Sequence, residues 1–338
     1  MKTLKNALAI CVLSVFAFVS AQAGELTVSG SMKIASTNQG GNTTGNPFGQ
    51  DKEIAITGST ELDNGMTASY KQTVTDTFAF NDSELMFGTS FGTIGLSSTA
   101  GTIEDIDNIV PTAYEEAEAL VGFTATTGFI DVGNNDGTYG IVYKNAIPGT
   151  GLNVTGFYTP KGQSGDATAD DAVGGDGNAN NGKAYSIYLR GNPLNIVEGV
   201  DFAIGYEHLE TLGAVTAVTD EESYTAALNY TYGPIKVGHQ QGWLENSSKL
   251  GTANEGYHNK YTGVAFAVNE NLSVSYQRTT SEERAWANTS VTTKIDGYSV
   301  AYTAGGATVA IVRNKAKNAN YNAGTTLTGN QVAIALAF

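Results

Sequence analysis

The segment Lys52–Thr75, KEIAITGSTELDNGMTASYKQTVT, contains two runs in which apolar and polar residues alternate. Successive side chains of a β-strand point to opposite faces, so this period of two predicts two half-buried strands. Asp63-Asn64-Gly65 separates the two runs, and Asn-Gly between alternating runs is a strong signal for a β-hairpin. The segment therefore predicts an antiparallel hairpin with one apolar face and one polar face.

The same pattern recurs from Leu26 to the C-terminal Phe338, and we count sixteen such runs. The chain has 41 glycines, 17 tyrosines and only 6 prolines, and it lacks a helix-period segment of useful length. Connections after even-numbered runs are short, as at Phe91-Gly92, whereas those after odd-numbered runs are mostly long and polar, as at 99–137 and 160–183. This alternation is typical of a barrel that spans an outer membrane. An antiparallel sheet in water can also have one polar face. Here the polar residues are small, as expected inside a wide water-filled barrel, and tyrosines recur near strand ends, so the pattern favours the barrel.

The first residues have the pattern of a secretory leader. Lys2 and Lys5 precede the apolar stretch Ala7–Val19, and Ala21-Gln22-Ala23 supplies a cleavage site. The apolar stretch is shorter than the roughly 20 residues that a membrane-spanning helix needs. We therefore expect a signal peptide over residues 1–23 and a barrel domain over residues 24–338. The single cysteine, Cys11, lies within the leader, so the exported domain needs no disulfide framework.

The charge balance excludes one class of function. The chain has 33 acidic and 18 basic residues, a net charge of −15, and lacks a basic patch that would neutralise nucleic-acid phosphates. His208, His239 and His258 have no mutual spacing that suggests a metal or catalytic site, and no Gly-x-Ser-x-Gly motif occurs. We expect neither an enzyme nor a nucleic-acid partner.

An acidic segment, Thr99–Gly137, follows the fifth predicted strand. It contains eight carboxylates and no Lys, Arg or His. A connection of this length within a compact domain is usually functional or disordered. Within it, Pro111–Leu120 predicts one or two helical turns, because Pro stands near the start and Ala, Glu and Leu follow.

Several of these segments resemble the trimeric porins of Gram-negative outer membranes, in particular the alphaproteobacterial type. Glu53–Met66 resembles the second hairpin of that family, and Leu85–Leu96 resembles the strand–turn–strand before its third loop. The final Phe338 is similar to the family's C-terminal assembly residue. The resemblance implies an all-β fold, a 16-stranded antiparallel transmembrane β-barrel with a long inward-folded third loop. It also implies a homotrimer in outer-membrane lipid.

The acidic segment occupies the place of the third loop, which narrows the pore in that family, although the family motif Pro-Glu-Phe-Gly-Gly is absent here. Rings of carboxylates favour cations in a pore. The predicted constriction residues are Glu104, Asp105, Asp107, Glu115, Glu116 and Glu118. The predicted basic residues of the pore wall are Lys33, Lys71, Lys144, Arg190 and Lys236. A solvated acidic loop is the simpler alternative.

The expected function is a water-filled channel for passive diffusion of small hydrophilic solutes and ions, with a preference for cations. The alternatives are a substrate-selective channel and a closed structural or adhesive barrel. No cofactor is expected. Asp131–Gly137 and Asp170–Gly177 offer oxygen ligands for Ca²⁺ in external loops, but neither fits an EF-hand loop, and turn formation explains both.

Overall fold

The computed structural model describes residues 24–40, 45–75, 80–98, 100–121, 139–162, 181–211, 220–245, 254–285 and 291–338. The predicted leader and residues 122–138 of the acidic segment lie outside these ranges. Within them, no helix is long and apolar enough to cross a membrane.

Sixteen antiparallel strands in the described ranges form one closed barrel, in which each strand pairs with its sequence neighbours and β1 pairs with β16. The strands are β1 Glu25–Gly40, β2 Phe48–Glu61, β3 Thr67–Val74, β4 Phe80–Thr89, β5 Gly92–Ser97, β6 Gly140–Ile147, β7 Leu152–Thr159, β8 Asn181–Gly191, β9 Val200–Thr211, β10 Glu221–Tyr232, β11 Ile235–Glu245, β12 Asn254–Ala267, β13 Leu272–Ala285, β14 Thr292–Ala304, β15 Ala307–Lys317 and β16 Thr326–Ala337. Short 3-10 helices cover Ile103–Ile106, Pro193–Asn195 and Ala319–Tyr321. The predicted fold, strand number and strand order are confirmed.

The two faces of the wall differ in the way the alternation predicts. On β10, Ser223, Thr225 and Ala227 are buried, whereas Tyr224 and Leu228 are exposed. Large apolar side chains that alternate with small buried ones on a closed sheet are typical of a lipid-facing exterior. We call the large apolar face outward and the small polar face inward.

Tyrosines mark the margins of the outward apolar band. Tyr276 and Tyr298 lie on neighbouring strands with their ring centroids 5.1 Å apart, and Tyr206 and Tyr224 repeat this arrangement at 5.1 Å. Tyrosine is favoured at a membrane–water interface because its ring is apolar and its hydroxyl is polar. These pairs therefore form part of the girdle that the sequence predicts.

The C-terminus completes the closure of the barrel. The Phe338 amide donates to the Gly30 carbonyl at 2.9 Å, and the Gly30 amide donates to the Phe338 carbonyl at 3.2 Å. An unpaired strand edge is costly in lipid because its backbone groups have no water to bind. The pairing of β1 with β16 removes that edge, and the Phe338 side chain remains exposed.

The first prediction concerns the two faces. We expect Val300→Lys to lower the free energy of unfolding by about 2–4 kcal/mol, because Val300 lies in the middle of the outward apolar band. The control is Ser69→Lys, since Ser69 is exposed on the inward face of β3. Denaturant titration of the barrel in phospholipid vesicles measures both changes. An equal loss in the two variants would contradict the assignment of the faces.

Candidate functional site

The described part of the connection after β5, residues 100–121, lies against inward-facing side chains; we call it the inner loop. Ile103 and Ile106 are fully buried and pack against Ala203 of β9 and Ala227 of β10. Burying an isoleucine side chain stabilises by about 1.5–3 kcal/mol. These two contacts fix the start of the inner loop inside the barrel.

Amide side chains of the wall bind the backbone of the inner loop. Gln240, which is fully buried, donates to the Ile106 carbonyl at 2.7 Å and accepts from the Ile109 amide at 2.8 Å. Asn229 donates to the Ile109 carbonyl at 2.9 Å. A primary amide carries both donors and an acceptor, so it can satisfy either backbone group. This is how irregular backbone is held within the lumen without strand partners.

Wall side chains also explain why the predicted helix over Pro111–Leu120 is wrong. The Ala113 amide donates to Ser275 Oγ at 2.8 Å, and the Ala117 amide donates to Gln277 Oε1 at 2.6 Å. In a helix over Pro111–Leu120 the Ala117 amide would bind the Ala113 carbonyl, whereas the Ala113 amide, in the first turn, would have no partner within the helix. The barrel wall therefore competes successfully for the donors, and only the 3-10 turn at Ile103–Ile106 is helical in the inner loop.

The inward face also has glycines where the inner loop comes closest to the wall. A Cβ at Gly297 would lie 2.5 Å from the Cα of Ala117, and one at Gly263 would lie 2.6 Å from the Pro111 carbonyl oxygen. Cβ atoms do not approach other atoms so closely, so the absence of a side chain lets loop backbone contact wall backbone. A Cβ would lie within 3 Å of the inner loop on five strands, against loop side chains at the first two positions and against loop backbone at the other three: Gly205, Gly238, Gly263, Gly297 and Gly329. We call these five residues the glycine track.

Two of the predicted constriction carboxylates, Asp105 and Glu118, accept hydrogen bonds that hold the inner loop in place. Asp105 Oδ2 accepts hydrogen bonds from the Gly101 amide at 2.7 Å and from the Tyr188 hydroxyl at 2.8 Å. Glu118 accepts hydrogen bonds from Asn108 and, at 3.0 Å, from Thr279 Oγ1. Both carboxylates therefore tie the inner loop to itself and to the wall.

The other four predicted carboxylates also lie on the inner loop. Glu115 forms an ion pair with Lys33 of β1, with 3.1 Å between Nζ and Oε1. Glu104, Asp107 and Glu116 are half-buried, and the Glu116 carbonyl accepts from Asn314 of β15 at 2.9 Å. The inner loop therefore follows the wall from β8 to β16 and reaches β1 at Glu115.

All five predicted basic wall residues occupy inward positions, but they are not gathered at one place. Lys33 contacts the inner loop through Glu115. Arg190 pairs with Asp201 at 2.9 Å, close to the short turn that follows β8. Lys236 is exposed beside the turn between β10 and β11, and Lys144 lies opposite Thr residues of β5 and β7 in the strand register.

Acidic residues on the same inward positions were missed at the sequence level. Asp51 is the register partner of Lys33, and Glu84 is the register partner of Lys71. Directly opposed residues on one face have Cβ atoms about 4.5–5.5 Å apart. Glu53 follows Asp51 on the same face of β2. The strand parity that selects the lysines also selects these carboxylates, so the signal was present in the sequence.

The described ranges contain no group of three or more His, Cys, Asp or Glu side chains suited to hold a metal ion. Two segments were predicted as possible Ca²⁺ ligands, Asp131–Gly137 and Asp170–Gly177. Both lie wholly outside the described residues. The calcium alternative stays a prediction.

A closed sixteen-stranded barrel with polar inward residues and a loop held in its lumen has the architecture of a membrane pore. Residues 7–308 match the model of the Gram-negative porin family. The chain belongs to this family, which confirms the resemblance drawn from the sequence. A comparison with curated proteins found no match.

Solved porins share the fold at low sequence identity. The anion-selective porin from Comamonas acidovorans is 16% identical, with 93% of this chain and 100% of that chain covered and a TM-score of 0.62. The trimer form of OmpT from Vibrio cholerae is 11% identical, with 94% and 100% covered and a TM-score of 0.66. OmpF of Salmonella typhi, in complex with daunomycin, is 12% identical, with 93% and 98% covered and a TM-score of 0.62.

Family and fold together establish the general function. The protein is an outer-membrane channel of a Gram-negative bacterium through which small solutes diffuse, and it is not an enzyme.

The glycine track gives the second prediction. We expect Gly297→Val to lower single-channel conductance, because the loop backbone at Ala117 can retreat only into the lumen. The overpacking should also cost about 1–3 kcal/mol of stability.

The matched control is Gly49→Val. Gly49 is the register partner of Ala35 on the inward face, and a Cβ there meets nothing within 4 Å. Planar-bilayer recordings of both variants measure the effect. If Gly49→Val lowered conductance as much as Gly297→Val, the glycine track would have no special role.

Proposed function

We propose that this porin forms a water-filled diffusion channel that prefers cations over anions. The observation that supports the proposal most is the pairing of the wall bases with carboxylates on the same inward face. Lys33 faces Asp51 and Glu115, Lys71 faces Glu84, and Arg190 pairs with Asp201. These three bases are matched by acids, and the carboxylates on the inward face and the inner loop outnumber the five wall bases.

Further inward carboxylates lie on the inner loop and on β2. Glu104 and Asp107 lie on the inner loop, and Glu53 lies on the inward face beside the ion pair of Lys33. A pore lined by carboxylates raises the local concentration of cations and disfavours anions. The Comamonas porin with the same fold is anion-selective, so side-chain charge, rather than the barrel, has to set the preference.

Reversal potentials in a planar bilayer test the proposal. A salt gradient at low ionic strength is required, because the Debye length is about 10 Å at 0.1 M and shorter at higher salt. We expect a K⁺ permeability greater than that of Cl⁻. Anion selectivity would overturn the proposal, and negligible conductance would favour a closed structural barrel. Saturable block by one solute would favour a substrate-selective channel.

The ion pair between Lys33 and Glu115 gives the third prediction. We expect Lys33→Gln to raise the ratio of K⁺ to Cl⁻ permeability and Glu115→Gln to lower it, because each change removes one sign of charge from the same point. The pair is partly exposed, with 34% and 24% of the side chains accessible. Such pairs contribute about 0–1 kcal/mol, so the inner loop should stay in place in both variants.

The control for this pair is Lys52→Gln. Lys52 alternates with Asp51 and Glu53 and therefore lies on the outward face of β2. Its removal changes the net charge as Lys33→Gln does, but outside the lumen. An equal shift of the reversal potential in the two lysine variants would show that net charge, and not the ion pair, sets the preference.

We also propose that the protein assembles as a homotrimer through the outward face around the junction of β1 and β16. This sector is aliphatic, with Ile34, Ile54, Leu96 and Ile334 each 43–50% exposed in the single chain. The solved OmpT structure is described as a trimer. An extended apolar surface is suited to a second copy of the barrel as well as to lipid.

The fourth prediction tests this assembly. We expect Ile54→Arg to convert trimers to monomers, because a buried unpaired charge at a subunit interface is strongly unfavourable. Ile204→Arg is the control, since Ile204 is 45% exposed on the outward face of β9, away from the proposed interface. Light scattering after size-exclusion chromatography in detergent gives the mass. A trimeric Ile54→Arg variant, or a monomeric wild type, would contradict the proposal.

A further inference from the structure

A pocket with a volume of about 280 Å³ lies on the inward face of β1 to β4. Its charged side chains and several hydroxyl side chains occupy inward positions in the strand register. They are Glu25, Lys71 and Glu84, with Thr57, Ser59 and Ser69. We call this the mouth pocket, because Glu25 begins β1 at the end of the barrel with the short connections.

The mouth pocket is separate from the place where the inner loop contacts β1. That contact is made by Lys33, whereas Thr27 of the same strand lines the pocket. Six residues of a strand span about 20 Å. The pocket therefore lies beyond the inner loop, toward the periplasm, where barrels of this kind have their short turns.

Lys71 lies between a carboxylate on one neighbouring strand and a hydroxyl on the other. Its register partners are Glu84 of β4 and Thr57 of β2, and directly opposed residues have Cβ atoms about 4.5–5.5 Å apart. Within the described ranges, the Lys71 ammonium nonetheless has neither an ion-pair partner nor a hydrogen-bond partner. This ammonium is therefore available to a solute, and a carboxylate lies beside it.

Glu25 places a second carboxylate across the hydroxyl residues from Lys71. Glu25 is the register partner of Ser59, which is in turn the register partner of Ser69, and Ser69 is two residues from Lys71 on the same face. Neighbouring strands are about 4.8 Å apart and two residues span about 6.7 Å, so Glu25 and Lys71 are separated by about 12 Å along the wall. Because both side chains are long, a linear solute that contacts Lys71 at one end can reach Glu25 with the other.

We propose that the mouth pocket binds α-amino acids with a cationic side chain, such as lysine, as they diffuse through the channel. The α-carboxylate accepts hydrogen bonds from Lys71 and the Ser69 hydroxyl, and the α-ammonium donates to Glu84. The side-chain cation donates to Glu25. The proposal rests on the water-filled diffusion channel proposed above and refines its class of solute.

The order of the charges is what favours this class. A simple anion would use Lys71 alone and would meet two carboxylates. A simple cation would use the carboxylates but would be repelled by Lys71. An α-amino acid carries a carboxylate and an ammonium on one carbon, which matches a base and an acid that are register partners.

Single-channel recordings in a planar bilayer at constant ionic strength test the proposal, with L-lysine as the probe. We expect L-lysine to reduce the K⁺ current in a saturable way. It should bind more tightly than L-norleucine, which has the same carbon chain without the side-chain ammonium. In Glu25→Gln this advantage over L-norleucine should disappear.

The variant Lys71→Gln separates loss of the site from general damage to the pocket. Its affinity for L-lysine should fall by about tenfold or more, because a hydrogen bond between two charged groups is lost. Cadaverine, which is lysine without its carboxylate, should bind this variant more tightly than the wild type, because a repulsive charge is removed. A pocket whose shape had collapsed would bind both compounds less tightly, and that result would contradict the assigned role of Lys71.

The matched control is Lys236→Gln, which removes an inward lysine from β11 on the opposite wall of the barrel. We expect its affinity for L-lysine to match that of the wild type. Absence of block by L-lysine, equal block by L-norleucine, or equal losses in the two lysine variants would each overturn the proposal. Reversal potentials of the same channels without amino acid keep this proposal apart from the ion preference. Cation preference without block contradicts only the mouth pocket, and block in an anion-selective channel contradicts only the ion preference.

Discussion

The arrangement of the lumen depends on one constraint: a segment of irregular backbone has to lie inside a barrel whose wall has already used its own backbone hydrogen bonds. The inner loop meets this constraint in two ways. Buried amides such as Gln240 and Gln277 bind its amides and carbonyls. Glycines such as Gly263 and Gly297 leave room for its backbone. Without the amides, buried backbone groups would lack partners, at about 1–3 kcal/mol each.

This constraint also explains which parts of the structure the sequence predicts. The period of two and the alternation of connection lengths are local properties, so the number, order and pairing of the strands follow from them. The path of the inner loop is not local. Ala117 and Gln277 are 160 residues apart, and Ala117 alone carries no signal for such a bond. The predicted helix over Pro111–Leu120 fails for this reason, because helix propensity is a weak preference that tertiary hydrogen bonds override.

For the candidate pore residues, too, the sequence predicts what depends on local pattern and misses what depends on distant contacts. Strand parity places Lys33 and Lys71 correctly on the inward face, and it would also have placed Asp51 and Glu84 there had acidic residues been considered. Parity cannot show which inner-loop carboxylates serve as anchors. Asp105 and Glu118 look like the other acids in the sequence, but the Tyr188 hydroxyl and Thr279 that bind them come from distant strands.

The distribution of charge over the barrel gives the net charge of −15 a more specific meaning. Inward positions of β2 and the inner loop carry carboxylates, whereas outward positions of β12 to β15 carry most of the exposed bases. The Arg313 side chain and the inward Asn314 are one residue apart, yet they face different surroundings. A strand that alternates faces can present separate charge patterns to lipid headgroups and to the lumen. Inward and outward residues of one wall can therefore carry different charges, and one set can change without altering the other.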